Sequence, residues 1–132
     1  MIEDDPEVRH SMRALLESWD CQVVEGCDAA ELLGALRTHG TAPQAVIADL
    51  RLRGAHDGIG EVALLKASFG AALPALIVSG DSAPERVRLM QDSGLPWLSK
   101  PVPAARLRSW LLAVVQAPPG ESAPPTTRET TR

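Results

Sequence analysis

Short unbroken apolar runs alternate along the chain with longer segments whose apolar residues recur at helical spacing. Ala45-Val46-Ile47-Ala48 follows Pro43-Gln44 and ends in Asp49, and Ala75-Leu76-Ile77-Val78 follows Pro74 and ends in Ser79. Such runs, free of polar interruption, predict strands buried on both faces, as in a parallel sheet. Three weaker segments join them: the stub Met1-Ile2 ahead of Glu3-Asp4-Asp5, the β-type stretch Cys21-Gln22-Val23-Val24-Glu25, and Trp97-Leu98-Ser99 leading into Lys100. A central strand usually needs about five residues, so the first is expected to be truncated.

The intervening segments predict helices. Asp5-Pro6 reads as a cap followed by proline at the first helical position, and Val8, Met12, Leu15, Leu16 and Trp19 form an apolar stripe, giving a helix from about Pro6 to Trp19. Asp28 with Glu31 makes a capping box for a second helix that carries Leu32, Leu33 and Leu36 and stops near Gly40. Ile59, Val62, Leu65 and Phe69 predict a third helix ending at Gly70. Ser82 and Glu85, with Pro84 between them, predict a fourth that closes at Gly94. Pro103 opens a fifth, whose apolar face holds Leu107, Trp110, Leu111, Val114 and Val115.

Strand followed by helix, repeated along the chain, implies a parallel sheet covered on both faces: an α/β fold, built as a three-layer α/β/α sandwich. The pattern predicts one domain over 1–116. From Ala117 the periodicity is lost in Pro118-Pro119-Gly120 and Pro124-Pro125, which predicts a disordered tail over 117–132.

Composition narrows the function classes. The 132 residues are 45% hydrophobic and 23% charged, with no apolar run long enough for a membrane span or signal peptide, so a soluble, cytoplasmic domain is expected. A net charge of −4 gives no basic footprint for nucleic acid. Cys21 and Cys27 form no CxxC and have no clustered histidine, so reduced thiols are expected. His10, His39 and His56 lie away from the strand ends, and no role is assigned to them.

The strand ends carry the candidate chemistry. In a doubly wound parallel sheet the carboxyl ends of the strands share one edge, where ligand crevices form. That edge would collect Glu3 and Asp4, Asp49, Ser79 and Lys100. Taken singly, each has a plain explanation as a turn former, a helix cap or a solvated charge; together they make a set suited to phosphoryl chemistry. Asp49 would be the reacting carboxylate. Two anions must then meet, so Glu3, Asp4 and Asp49 would hold a hard divalent cation, for which Mg2+ is the expected choice. Lys100 would grip a phosphoryl oxygen as a point charge, and Ser79 would donate a hydrogen bond to another.

Ile2-Glu3-Asp4-Asp5-Pro6, Ile47-Ala48-Asp49-Leu50, Asp57-Gly58, Val78-Ser79-Gly80-Asp81 and Leu98-Ser99-Lys100-Pro101 resemble, in order and interval, the signatures of receiver domains of two-component response regulators. The resemblance spans Ile2 to about Gln116 and implies a flavodoxin-like fold with a five-stranded parallel sheet in the order 2-1-3-4-5. It also implies that Glu3 and Asp4 bind Mg2+ with Asp49, and that the Arg51 backbone carbonyl completes the site. Asp49 would take its phosphoryl group from a phosphohistidine, Ser79 and Lys100 would sense that group, and Lys100-Pro101 would be a cis peptide. The family's switch aromatic, usually Tyr or Phe, falls at Trp97, a bulkier ring.

The implied partners are a histidine kinase or a histidine phosphotransfer domain, with no nucleic acid and no membrane contact. The isolated domain would be a self-phosphorylating phosphoacceptor, not a turnover enzyme. The Ser79–Arg86, Ser93–Pro96 and Lys100–Arg108 segments resemble receivers at the carboxyl end of hybrid sensor histidine kinases, with a stand-alone regulator as the alternative. Arg86, Arg88, Arg106 and Arg108 against Asp92 would set like charges against each other in a dimer through the last two helices, so a monomer is expected. Two further readings stay open: an Asp-nucleophile phosphohydrolase, which would want a second acid where Arg51 stands, and a degenerate receiver acting as a protein-binding scaffold.

Overall fold

The first helix starts on a side chain. Asp5 Oδ1 accepts hydrogen bonds from the Glu7 and Val8 amides at 3.0 and 3.4 Å, and α1 runs over Pro6–Glu17. The structure, a computed structural model, describes residues 1–52, 57–80 and 83–115. The expected end at Trp19 is too late: Asp20 takes a left-handed φ of 63°, and the Cys21 amide turns back to the Leu16 carbonyl at 3.2 Å. Asp tolerates that conformation better than most residues.

Asp28 caps α2, Ala29–His39, by accepting from the Glu31 amide at 2.8 Å. Glu31 completes the cap by accepting from the Cys27 amide at 3.1 Å. The helix ends at Gly40, whose φ of 71° suits a residue without a Cβ. Then follow β1, Val46–Asp49; α3, Gly58–Phe69; β2, Ala75–Ser79; α4, Pro84–Ser93; β3, Trp97–Ser99; and α5, Ala104–Val115. Asp57 caps α3 through the Gly60 amide at 2.7 Å. The N-cap of α4 is Ala83, which makes no side-chain cap bond, while the expected capping residue Ser82 lies outside the described residues, as do Asp81, His56 and the 117–132 tail.

The sheet is parallel in the order β1-β2-β3, with Asp49 opposite Val78 and Ser79 opposite Ser99. The expected five strands are, among the described residues, three strands and two single bridges. Ile2 bridges Ala48 on one side and Gly26 on the other, both in parallel sense. The Ile2 amide donates to Ile47 O at 2.8 Å, Asp49 N to Ile2 O at 3.0 Å and Glu3 N to Gly26 O at 3.1 Å. The reason for the shortfall is length: Met1-Ile2 is too short to build a ladder, and Cys21–Glu25 therefore has almost nothing to pair with.

Alternate residues of the strands feed two cores. Val46, Ala48, Ala75 and Ile77 pack with Leu32 and Leu36 of α2, Val62 and Leu65 of α3 and Met90 of α4. Ile47, Leu76, Val78 and Leu98 pack with Leu16 of α1 and with Leu107, Trp110 and Val114 of α5. Helices on both faces explain why the strands read as unbroken apolar runs. No helix among the described residues is long and apolar enough to cross a membrane.

Candidate functional site

The parallel strands deliver their carboxyl ends to one edge, and there Asp49 ends β1, Ser79 ends β2 and Lys100 follows β3. Lys100 Nζ donates to Asp49 Oδ2 at 2.9 Å and to Glu3 Oε1 at 3.2 Å. Carboxylate oxygens of Glu3, Asp4 and Asp49 lie within 4.8 Å of one another. Glu3 is only 4% exposed although it sits beside two other acids. Apolar Val8, Met12, Ile47 and Val78 wall the small cavity that Glu3, Asp49 and Lys100 share.

This crowding shows in the titration of the groups. Burial, then the hydrogen bond and charge of Asp49, push the Glu3 carboxyl up to about 7. Burial works against the charge of Lys100, but Asp49 and Glu3 outweigh it and hold the ammonium above its ordinary value. One ammonium thus faces three acids. The excess negative charge and the all-oxygen donor set are what a hard divalent cation neutralises, and Mg2+, which binds through few carboxylates and keeps its waters, fits them.

The backbone beneath Asp49 is tightly packed. Asp49 Oδ1 accepts from the Arg51 amide at 3.4 Å, Arg51 bridges Asp57 in antiparallel sense, and the Gly58 amide donates to Leu50 O at 2.9 Å. A Cβ on Gly58 would overlap the Asp49 carbonyl oxygen and lie 2.9 Å from its carbon. Only glycine lets α3 start this close to the strand. Ser79 is buried, and its carbonyl accepts from the Lys100 amide at 2.8 Å. The Lys100-Pro101 peptide is cis. Trp97 stands opposite Ile77, further back along β3 than Lys100, and packs half-buried against the core on the α2 and α3 face.

Of the residues singled out from the sequence, the fold gathers Glu3, Asp4, Asp49 and Lys100 into direct reach. It sets Ser79 and Arg51 beside them along the backbone and leaves Trp97 farther off. Two contributors escaped sequence reasoning. Glu61 is buried in α3, where its Oε1 accepts from the Ala29 amide at 2.9 Å and so caps α2 from another helix. Arg9 reaches from α1 to the Glu3 carbonyl at 3.1 Å. Nothing in a local pattern marks either, because both partners are distant in sequence or on the backbone.

The family model described as the response regulator receiver domain matches residues 1–112. The chain belongs to the response regulator receiver family. This receiver domain shares its fold with solved members. The signal receiver domain of a modulated diguanylate cyclase from Desulfovibrio desulfuricans G20 matches with a TM-score of 0.71 at 24% identity, over 86% of this chain and 89% of that one. The receiver domain of the sensor histidine kinase PA1611 from Pseudomonas aeruginosa PAO1, solved with a magnesium ion coordinated in its active site cleft, gives 0.71 at 22% identity over 88% and 94%. A response regulator receiver protein from Pseudomonas putida gives 0.67 at 26% identity over 82% and 88%. No curated protein sequence matches the chain. The flavodoxin-like α/β/α architecture and the place of this receiver in a two-component system rest on these findings and on the parallel sheet.

Proposed function

We propose that Asp49 is the phosphoacceptor and that the domain takes its phosphoryl group from the phosphohistidine of a histidine kinase or histidine phosphotransfer domain. The observation that carries this reading is the position of the Asp49 carboxylate, 2.9 Å from the Lys100 ammonium and inside a cluster of three acids. An oxygen of Asp49 attacks phosphorus, the bond from phosphorus to the histidine nitrogen breaks, and the imidazole leaves with its electron pair and takes a proton from solvent. The product is an aspartyl phosphate.

Glu3, Asp4, Asp49 and the Arg51 carbonyl would hold Mg2+, which when bound supplies positive charge between the two anions. Lys100 already lies on Asp49 and is placed to follow the new charge onto a phosphoryl oxygen, while the Ser79 hydroxyl donates to another. Trp97 takes the switch position, half-buried on β3.

Intact-mass measurement with acetyl phosphate and Mg2+ tests the reading. One added phosphoryl group is expected, lost with chelator and in Asp49→Asn; a folded protein with no adduct favours the scaffold reading, and steady turnover of a phosphate ester the phosphohydrolase. For the setting we favour the carboxyl end of a hybrid histidine kinase, on the character of the Lys100-Pro101-Val102-Pro103 segment, over a stand-alone regulator.

A further inference from the structure

Arg9 lies in the second turn of α1 with its side chain 23% exposed, and it faces three elements at once. Its Nη1 donates to the Glu3 carbonyl at 3.1 Å and to Cys27 Sγ at 3.4 Å, and its Nε lies 3.8 Å from Glu25 Oε1. The Glu3 carbonyl belongs to the planar peptide unit that joins Glu3 to Asp4. Holding that oxygen therefore anchors the peptide plane between the two acidic residues and narrows the rotations on either side of it, ψ of Glu3 and φ of Asp4, that aim their side chains. The other side of Glu3 is held as well, since its amide donates to Gly26 O at 3.1 Å.

We propose that Arg9 is a positioning residue for the acidic pair: clamped by Glu25 and Cys27, its guanidinium holds the Glu3–Asp4 peptide and so sets both carboxylates for the cation. The inference rests on the reading of Glu3 and Asp4 as metal-binding acids. A guanidinium suits the task because it is charged at every working pH and its planar fork can serve several acceptors in fixed directions. Losing a partner one step behind the ligands typically weakens metal binding by about ten- to a hundred-fold. Charge alone would act in the opposite sense, since a nearby cation repels Mg2+, so the two effects are separable by sign.

Two readouts on the whole chain decide it. By calorimetric titration, Arg9→Met is expected to bind Mg2+ about ten-fold more weakly, and Arg9→Lys, which keeps the repelling charge and loses the fork, at least as weakly as Arg9→Met. Arg13→Met serves as control: it removes the 3.3 Å pair with Glu25 from the same helix but touches nothing of Glu3, and its Mg2+ affinity should be unchanged. In parallel, amide hydrogen exchange at Asp4 and Asp5 in metal-free protein should speed up in Arg9→Met and not in Arg13→Met. Unchanged or tighter Mg2+ binding in the Arg9 variants, or equal exchange in Arg9→Met and Arg13→Met, overturns the proposal. If Arg9→Met does not fold, Arg9→Lys carries the same two comparisons. Failure of the unmodified protein to bind Mg2+ would sink the metal reading, and exchange alone would then judge the clamp.

Discussion

Lys100, just past the end of β3, places its Nζ 2.9 Å from Asp49 Oδ2 at the end of β1, although 51 residues separate them in sequence. The same ammonium lies 3.2 Å from Glu3 Oε1. It stands where a cation is wanted, and it competes for the acids that would ligate one.

Removing that competitor should strengthen metal binding. Unit charges about 4 Å apart interact by about 4 kcal/mol at an effective dielectric of about 20 and by about 1 kcal/mol in water; the Lys100 side chain is partly exposed, so the gain lies nearer the second figure and Lys100→Met is expected to bind Mg2+ about ten-fold more tightly. Isothermal titration at constant pH measures this. A loss of Mg2+ binding would mean that Lys100 organises the acids instead of competing for them.

Glu3 makes stability depend on pH. Its carboxyl is raised from 4.5 to about 7 in the fold, so between those values the folded state holds a proton that the unfolded chain has lost. The stabilisation is complete below 4.5 and disappears as pH rises through 7. The buried Met1 amine, lowered to about 5, makes the fold gain stability as pH rises over the same range, so Glu3 shows by difference: from pH 6 to pH 8 the metal-free protein should lose several degrees of melting temperature relative to Glu3→Gln, given that 1 kcal/mol corresponds to about 4 °C in a domain of this size. Saturating Mg2+ should remove this difference by favouring the ionised acid. The same change in melting temperature from pH 6 to pH 8 in Glu3→Gln as in the unmodified protein would contradict the assignment.

Gly58 has no room for a methyl group against the Asp49 carbonyl. Gly58→Ala should cost about 1 to 3 kcal/mol, as overpacking generally does, and should shift the strand end that carries Asp49. Urea denaturation measures the first effect and phosphorylation rate with acetyl phosphate the second. Wild-type values for both would show that the loop gives way freely.

Charge is expected to oppose association through α4 and α5. Arg88, Arg106 and Arg108 are exposed there and Arg86 half-buried, against exposed Glu85 and Asp92, so basic residues outnumber acidic ones, and the Arg108 guanidinium lies 6.0 Å over the Trp19 ring. Like charges facing each other across an interface are costly. Light scattering should give a monomer with and without acetyl phosphate; a phosphorylation-dependent dimer would remove this expectation.

Features that depend on neighbouring residues could be read from the sequence. Asp5 and Asp28 cap their helices, Gly40 and Gly94 stop theirs in left-handed conformations, and the apolar runs ending in Asp49 and Ser79 are strands buried on both faces. The clustering of Glu3, Asp4, Asp49 and Lys100 followed from one topological rule about strand ends. What escaped depends on distant partners. The early end of α1 comes from the backbone of Asp20, and the loss of two strands from how little chain Ile2 offers Gly26. Glu61, set among Val62 and Leu65, shows its purpose only once the Ala29 amide is in view. Arg9 looks like any helix-surface charge until the Glu3 carbonyl is placed beside it.

The most direct test of Asp49 as phosphoacceptor locates the modification chemically. The protein is incubated with acetyl phosphate and Mg2+, treated with borohydride, which reduces an acyl phosphate to the alcohol, and mapped by peptide mass spectrometry. Homoserine at position 49, with no other aspartate or glutamate reduced to its alcohol, is the expected result. Homoserine at Asp4 or another aspartate, hydroxynorvaline at Glu3 or another glutamate, or no reduced residue in a protein shown to be folded and to bind Mg2+, would contradict it.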